Sequence, residues 1–244
     1  MQNLPINPPI PSLSTPSSPI PPAAPANNAN TIFYTLGDSL YINMTNQCPC
    51  ACQFCIRNTT HGVGDAPSLW LQQEPTLPEI FAAFDLVLSQ YLEQSVDQSY
   101  TNTMAQIVFC GYGEPLTRGQ DVILVAQYIK QQLAQKAPTW QVPLRLNTNG
   151  LIYLIDPAFK IQELQVMDAI SISLNADDPE EYHRLVRPCF GVKSFAHLLA
   201  FIKDVGAYAP VTLSVMEDLA PVRIQRCKAL AKELGATLRV RTYM

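Results

Sequence analysis

The chain has 244 residues, 48% of them hydrophobic, and a formal net charge of −4. That length supports one large core of the αβ-barrel size class, and the charge makes no electrostatic case for nucleic acid or an anionic membrane. No run of about 18 apolar residues offers a membrane span, so the chain reads as soluble and cytoplasmic.

Residues 1–30 hold nine of the 21 prolines and no charged residue. They read as a disordered, partly polyproline-II extension, inert or a docking segment, ahead of a core domain over 31–244. From Thr31, "TIFYTL-GD-SLYINMT" predicts two short strands around a Gly-Asp turn. Apolar residues at 77, 80, 81, 84, 87, 88 and 91 predict a helix, with Thr76 and Glu79 as a capping box. "AQIVFC" is a short buried strand, "GQDVILVAQYIKQQLAQK" a helix, and "VPLRLNT" a strand closed by Asn149-Gly150. "DPAFKIQELQV" reads as a helix, "DAISISLN" as a strand, and "DPEEYHRLV" as a helix with Pro179 in its first turn. "SFAHLLAFIKDVG" is a helix ended by Gly206. "PVTLSVM" is a strand, "PVRIQRCKALAKELG" a helix, with Asp218 read as its cap, and "TLRVRTY" a last strand.

Alternating strands and helices mean parallel βαβ units in an α/β fold. Six strands follow the turn, too few for a closed eight-fold barrel, so a partial (βα)6 barrel is expected. Chemistry in such folds sits at the carboxyl ends of the strands.

The first of those ends carries "CPCACQFC", four of the chain's seven cysteines in eight residues. Their crowding and the lack of a secretory signal point to a metal or redox centre, not to a disulfide framework. The Cys48-x3-Cys52-x2-Cys55 spacing lets three sulfurs of one loop face one iron–sulfur cubane and leaves the fourth iron open, which favours catalysis over electron storage. Rubredoxin and zinc-ribbon sites need a second CxxC pair, which this chain lacks.

With Phe54 before Cys55, and with Gly111-Tyr112-Gly113-Glu114-Pro115 one βα unit later, the chain resembles the radical S-adenosylmethionine (radical SAM) superfamily over roughly residues 40–244. The resemblance implies one [4Fe–4S] cluster on Cys48, Cys52 and Cys55. It implies S-adenosylmethionine (SAM) at the open iron, reductive cleavage to a 5′-deoxyadenosyl radical, and hydrogen abstraction from an unknown substrate. An external donor such as flavodoxin or ferredoxin would supply the electron.

Gly111, Tyr112, Gly113 and Glu114 look like the element that receives the methionyl ammonium, with Tyr112 in place of its middle glycine. Glycine suits close backbone approach, and a carboxylate gains charge-assisted hydrogen bonds. Asn147, Asn149 and Ser173 or Asn175 match positions that meet ribose or the SAM carboxylate. Ser171, Ser173 and Asn175 share one face of their strand. Arg187, before Pro188, is a candidate for the SAM carboxylate or substrate. Glu217, Arg57 and His61 are further candidates to face substrate or pocket. Cys110 and Cys227 read as core.

"TNQCPCACQFC" most resembles the radical SAM subgroup associated with TatD-type metal-dependent hydrolases, which makes such a hydrolase a candidate partner. Cys50 then belongs to the loop as a packed thiol, a hydrogen-bond donor or a redox group, and a structural role is expected. A single cluster is expected too, since no further cysteine-rich segment follows, and a large substrate or second protein would close the open side. The rivals are a non-catalytic iron–sulfur or zinc protein and a scaffold for the hydrolase. An intact triad beside a GYGEP loop argues against both.

Overall fold

The structure, a computed structural model, describes residues 30–58, 62–95 and 104–242. The proline-rich stretch up to residue 29 and His61 lie outside these residues. Gly37, at φ +63°, and Asp38 make the turn of an antiparallel hairpin, β1 (Phe33–Leu36) and β2 (Ser39–Ile42), with Leu36 opposite Ser39. From β2 every further pairing is parallel. β3 (Gln106–Phe109), β4 (Leu144–Thr148), β5 (Ala169–Ser173), β6 (Val211–Met216) and β7 (Thr237–Arg241) follow in chain order across one seven-stranded sheet. The six strands expected after the turn are β2 to β7.

Helices α1 (Leu77–Ser95), α2 (Gly119–Lys136), α3 (Ile152–Ile155), α4 (Pro179–Val186), α5 (Ser194–Val205) and α6 (Pro221–Glu233) make the crossovers. The strands alternate. Leu144, Leu146, Ile170, Ile172, Leu213 and Val215 are buried in the same apolar core as Phe84, Ile129 and Phe201 of the helices. The residues between them line a cavity of about 590 Å³. That cavity also takes Leu36 from β1 and Arg239 and Arg241 from β7, so both edge strands contribute to its lining.

Local chemistry explains the ends. The Glu79 carboxylate accepts both the N–H and the hydroxyl of Thr76, which supplies the Glu half of the expected capping box. Asp178 caps α4 by accepting the Glu181 N–H at 2.8 Å, with Pro179 in the first turn.

Two expectations fail. The helix expected over 156–166 is absent: after the short α3 the chain turns at 156–160 and forms only a 3-10 helix at Ile161–Val166. Pro157 holds Asp156 extended (φ −138°, ψ 93°), and the Asp156 side chain accepts the Ala158 N–H, so no helix can run through. Gly206 ends α5 as expected, in a right-handed conformation. Asp218 does not cap α6, whose N-cap is Ala220 with no side-chain bond. No helix among the described residues is long and apolar enough to cross a membrane.

Candidate functional site

The loop after β2 is tied down at both ends. Arg118 donates to the carbonyls of Met44 and Pro75, both at 2.8 Å, and fixes the strand's exit. Farther on, the cysteine loop pairs with the end of α4. The Ala51 N–H reaches the carbonyls of Val186 and Arg187, Gln53 N–H that of Leu185, and Cys189 N–H that of Pro49. Arg187 is a non-glycine residue at φ +49° that ends α4. Its side chain is exposed and does not line the cavity. Its carbonyl, not its charge, meets the cysteine loop.

Cys48, Cys50, Cys52 and Cys55 all line the cavity. Arg57 donates from Nε to Cys55 Sγ at 3.3 Å and from Nη2 to the Cys50 carbonyl at 3.0 Å. Asn149 Nδ2 lies 3.9 Å from Cys48 Sγ and 3.7 Å from Cys50 Sγ. A hydrogen bond from Cys50 lowers the Cys48 thiol below its ordinary value. Cys50 itself is pushed up, by its bonds to Cys48 and Cys52 and by burial. In this arrangement Cys50 is the hydrogen-bond donor and the Cys48 and Cys52 sulfurs its acceptors. Among the described residues no three Cys, His, Asp or Glu side chains converge on a single-ion site. A cluster asks for something different, because each thiolate binds its own iron.

The loop after β3 carries Gly111 to Glu114. Cys110 N–H bonds the Ile42 carbonyl and Glu114 N–H the Gln47 carbonyl, so this loop runs against the one that leads to the cysteines. The contact explains the glycines. A Cβ at Gly113 would stand 2.3 Å from the Thr45 carbonyl oxygen and 2.7 Å from that of Gln47, and one at Gly111 would meet the Asn43 side chain. Gly113→Ala therefore has to push backbone aside. We expect it to cost about 1–3 kcal/mol in a urea melt and to lower the iron bound per chain.

Tyr112 turns away, packing with Tyr34, Val63 and Leu69 and edge-on to Trp70 at 5.2 Å. Glu114 is buried. It accepts the Leu116 N–H at 3.0 Å, the Thr148 hydroxyl at 2.7 Å and the Asn149 N–H at 2.7 Å, and so joins the ends of β3 and β4. Burial nevertheless raises its pKa to about 7, with these bonds pulling the other way.

Asn147, Ser171, Ser173 and Asn175 line the cavity, as do Ser214 and Met216. Asn147 Oδ1 is buried without a partner, an acceptor suited to a ligand hydroxyl. Asn175 sits at φ +61° and faces Arg241 Nη2 at 3.4 Å. Cys227 is core, but Cys110 lines the cavity instead of packing as a core thiol. The sequence reading passed over Arg145, Arg239 and Arg241, all on the cavity wall. Their signal was the period-two spacing that gave Ser171, Ser173 and Asn175.

A model of the radical SAM superfamily matches residues 42–216. No curated protein matches the chain. Among solved structures, TYW1 with a lysine-pyruvate adduct bound is similar at a TM-score of 0.55 and 15% identity, over 85% of this chain and 65% of that one. Native anSMEcpe with bound AdoMet is similar at a TM-score of 0.55 and 13% identity, over 84% of this chain and 50% of that one. The chain thus spans less than two thirds of either structure, and at these identities the likeness is one of fold.

Proposed function

The chain belongs to the radical SAM superfamily, and from that premise we propose that it is an enzyme that cleaves SAM reductively and abstracts a hydrogen from its substrate. Cys48, Cys52 and Cys55 would hold a [4Fe–4S] cluster, leaving one iron open to SAM. When bound and reduced, that cluster supplies the electron that opens the sulfonium to a 5′-deoxyadenosyl radical. The observation that carries the reading is the meeting of the cysteine loop with the Gly111–Glu114 loop and the polar ends of β4 and β5 around one cavity. The cavity's volume, about 590 Å³, lies within the range of small-molecule sites.

This chain's residues then have separable tasks. Arg57 and Asn149 direct N–H groups at the sulfurs, which tunes a bound cluster by charge-assisted bonds. Cys50 packs between two ligands and donates its S–H to them. Gly111 and Gly113 keep the loop close, and Glu114 supplies negative charge beside the methionyl ammonium. Asn147, Ser173 and Asn175 offer donors and acceptors to ribose hydroxyls or the SAM carboxylate. Curvature that brings both edge strands to one cavity supports a partial (βα)6 barrel. We further propose a reduced flavodoxin or ferredoxin of the cytoplasm as electron donor. The "CPCACQFC" loop supports membership of the TatD-associated subgroup, with such a hydrolase as a working partner.

The test is electron paramagnetic resonance of the anaerobically reconstituted, reduced protein with and without SAM. A [4Fe–4S]⁺ signal that changes on adding SAM is expected. A cluster signal indifferent to SAM would overturn the proposal.

A further inference from the structure

Arg145 on β4 and Arg239 and Arg241 on β7 line the cavity. They share that wall and act on common neighbours. Burial raises the Tyr41 phenol while Arg145 and Arg239 both oppose that rise, and Arg145 and Arg241 both act on the Cys110 thiol. Nε of Arg145 and Nε of Arg241 are buried and make no hydrogen bond, although Arg145 also bonds the Tyr41 phenol and Arg241 Nη2 reaches Asn175 Oδ1 at 3.4 Å. None of the three forms an ion pair among the described residues, where arginines 118, 184, 223 and 226 all do. Among the described residues on the cavity wall the one carboxylate is Glu114, already committed to Leu116, Thr148 and Asn149. Burial, and then Arg239 beside it, lower the pKa of Arg241.

Buried guanidinium donors without acceptors are costly, and like charges held together add to that cost. Fork-shaped donors of this kind match the oxygens of a phosphate or carboxylate. We propose that the Arg145–Arg239–Arg241 region is an oxyanion subsite that holds a phosphate or carboxylate group of the substrate. Tyr41, Asn147 and Ser214 line the same cavity with neutral hydrogen-bonding groups. The inference rests on the reading of this cavity as the place where SAM and substrate meet, and it gives the substrate a charge that the sequence does not declare.

The test is calorimetric titration of the reconstituted full chain with inorganic phosphate and, separately, with malonate. The chains compared are the wild type, Arg145→Met and Arg241→Met, with circular dichroism to confirm folding. At least one anion is expected to bind the wild type, and to bind each variant about tenfold more weakly. The SAM-induced spectral change should be retained in both variants. Preference for phosphate assigns a phosphorylated substrate, and preference for malonate a carboxylated one. If a buried variant does not fold, Arg239→Met, at an exposed position, carries the same expectation. No anion binding by the wild type, or binding unchanged in the variants, would sink the subsite. Loss of the SAM response together with anion binding would also sink it, because the arginines would then serve the SAM carboxylate. A wild-type cluster blind to SAM alongside intact, arginine-dependent anion binding would refute the proposed function and leave the subsite standing.

Discussion

Cys52→Ala protein, reconstituted with iron and sulfide, should keep its fold but lose its cluster and cleave no SAM above background. Cys52 is half-buried at the cavity, and its loop is held by the main chain of Ala51 and Gln53, not by the thiol. Removing the sulfur therefore leaves the loop in place and deletes one ligand. Loss of a partner one bond removed from a metal typically costs about 10–100-fold, so loss of a direct ligand should exceed that. Cys50→Ser is the informative companion. A hydroxyl still donates to the neighbouring sulfurs, so iron content should stay close to wild type. A Cys50→Ser protein without iron would make Cys50 a ligand and displace the assignment of Cys48, Cys52 and Cys55. Iron per chain and 5′-deoxyadenosine formed per hour report both variants.

Glu114→Ala should be the most destabilising change at the site. It strands two backbone N–H groups and the Thr148 hydroxyl that the buried carboxylate holds. At about 1–3 kcal/mol for each orphaned group, not fully additive, a loss of about 3–5 kcal/mol is expected in a denaturant melt. Glu114→Gln keeps the acceptor for Leu116 and Thr148 but sets an amide against the Asn149 N–H, so it should lose less.

The carboxyl also has a pH signature. Its pKa rises from 4.5 unfolded to about 7 folded. Between those values the folded chain holds a proton that the unfolded chain has released. Stability is therefore greatest below about 4.5 and falls as pH rises through 7, by about 3 kcal/mol from this group. Melts at pH 5 and pH 8 should differ in that direction, and Glu114→Gln should remove much of the difference. An ammonium bound beside Glu114 would draw its proton off, so SAM affinity should rise over the same interval. A flat profile for both chains would mean the carboxyl is ionised throughout.

The alternation of helix and strand was legible from periodicity, and the Gly37-Asp38 turn and the Thr76–Glu79 pair from residue chemistry. The cysteine loop was legible because its spacing is dense and local. What escaped was anything set by packing between distant segments. Tyr112 lies in the middle of a recognisable motif, yet Trp70 and Tyr34 draw its ring away from the cavity. Arg187 resembled a ligand-binding arginine, while its main chain turned out to meet the cysteine loop. Arg145 and Arg241 could have been found, since Arg145-x-Asn147-x-Asn149 has the alternation of Ser171-x-Ser173-x-Asn175. The helix misread at 156–166 had apolar spacing in its favour, but a single proline outweighed it.

The seam between the cysteine loop and α4 governs the order in which the molecule is made. Gln53 Nε2 bonds the Arg184 carbonyl across 131 residues of chain, and the main-chain bonds beside it span similar distances. Contacts of such long range form late, since the intervening loop must close first. On the ribosome the four thiols are therefore synthesised well before the segment that shapes them. They wait on an unfinished chain, open to oxidation and to stray metals, until α4 has emerged and docked. Iron and sulfide delivered earlier would meet a floppy tether in place of a socket. The productive moment for cluster insertion is thus set by α4, an element that supplies no thiol of its own.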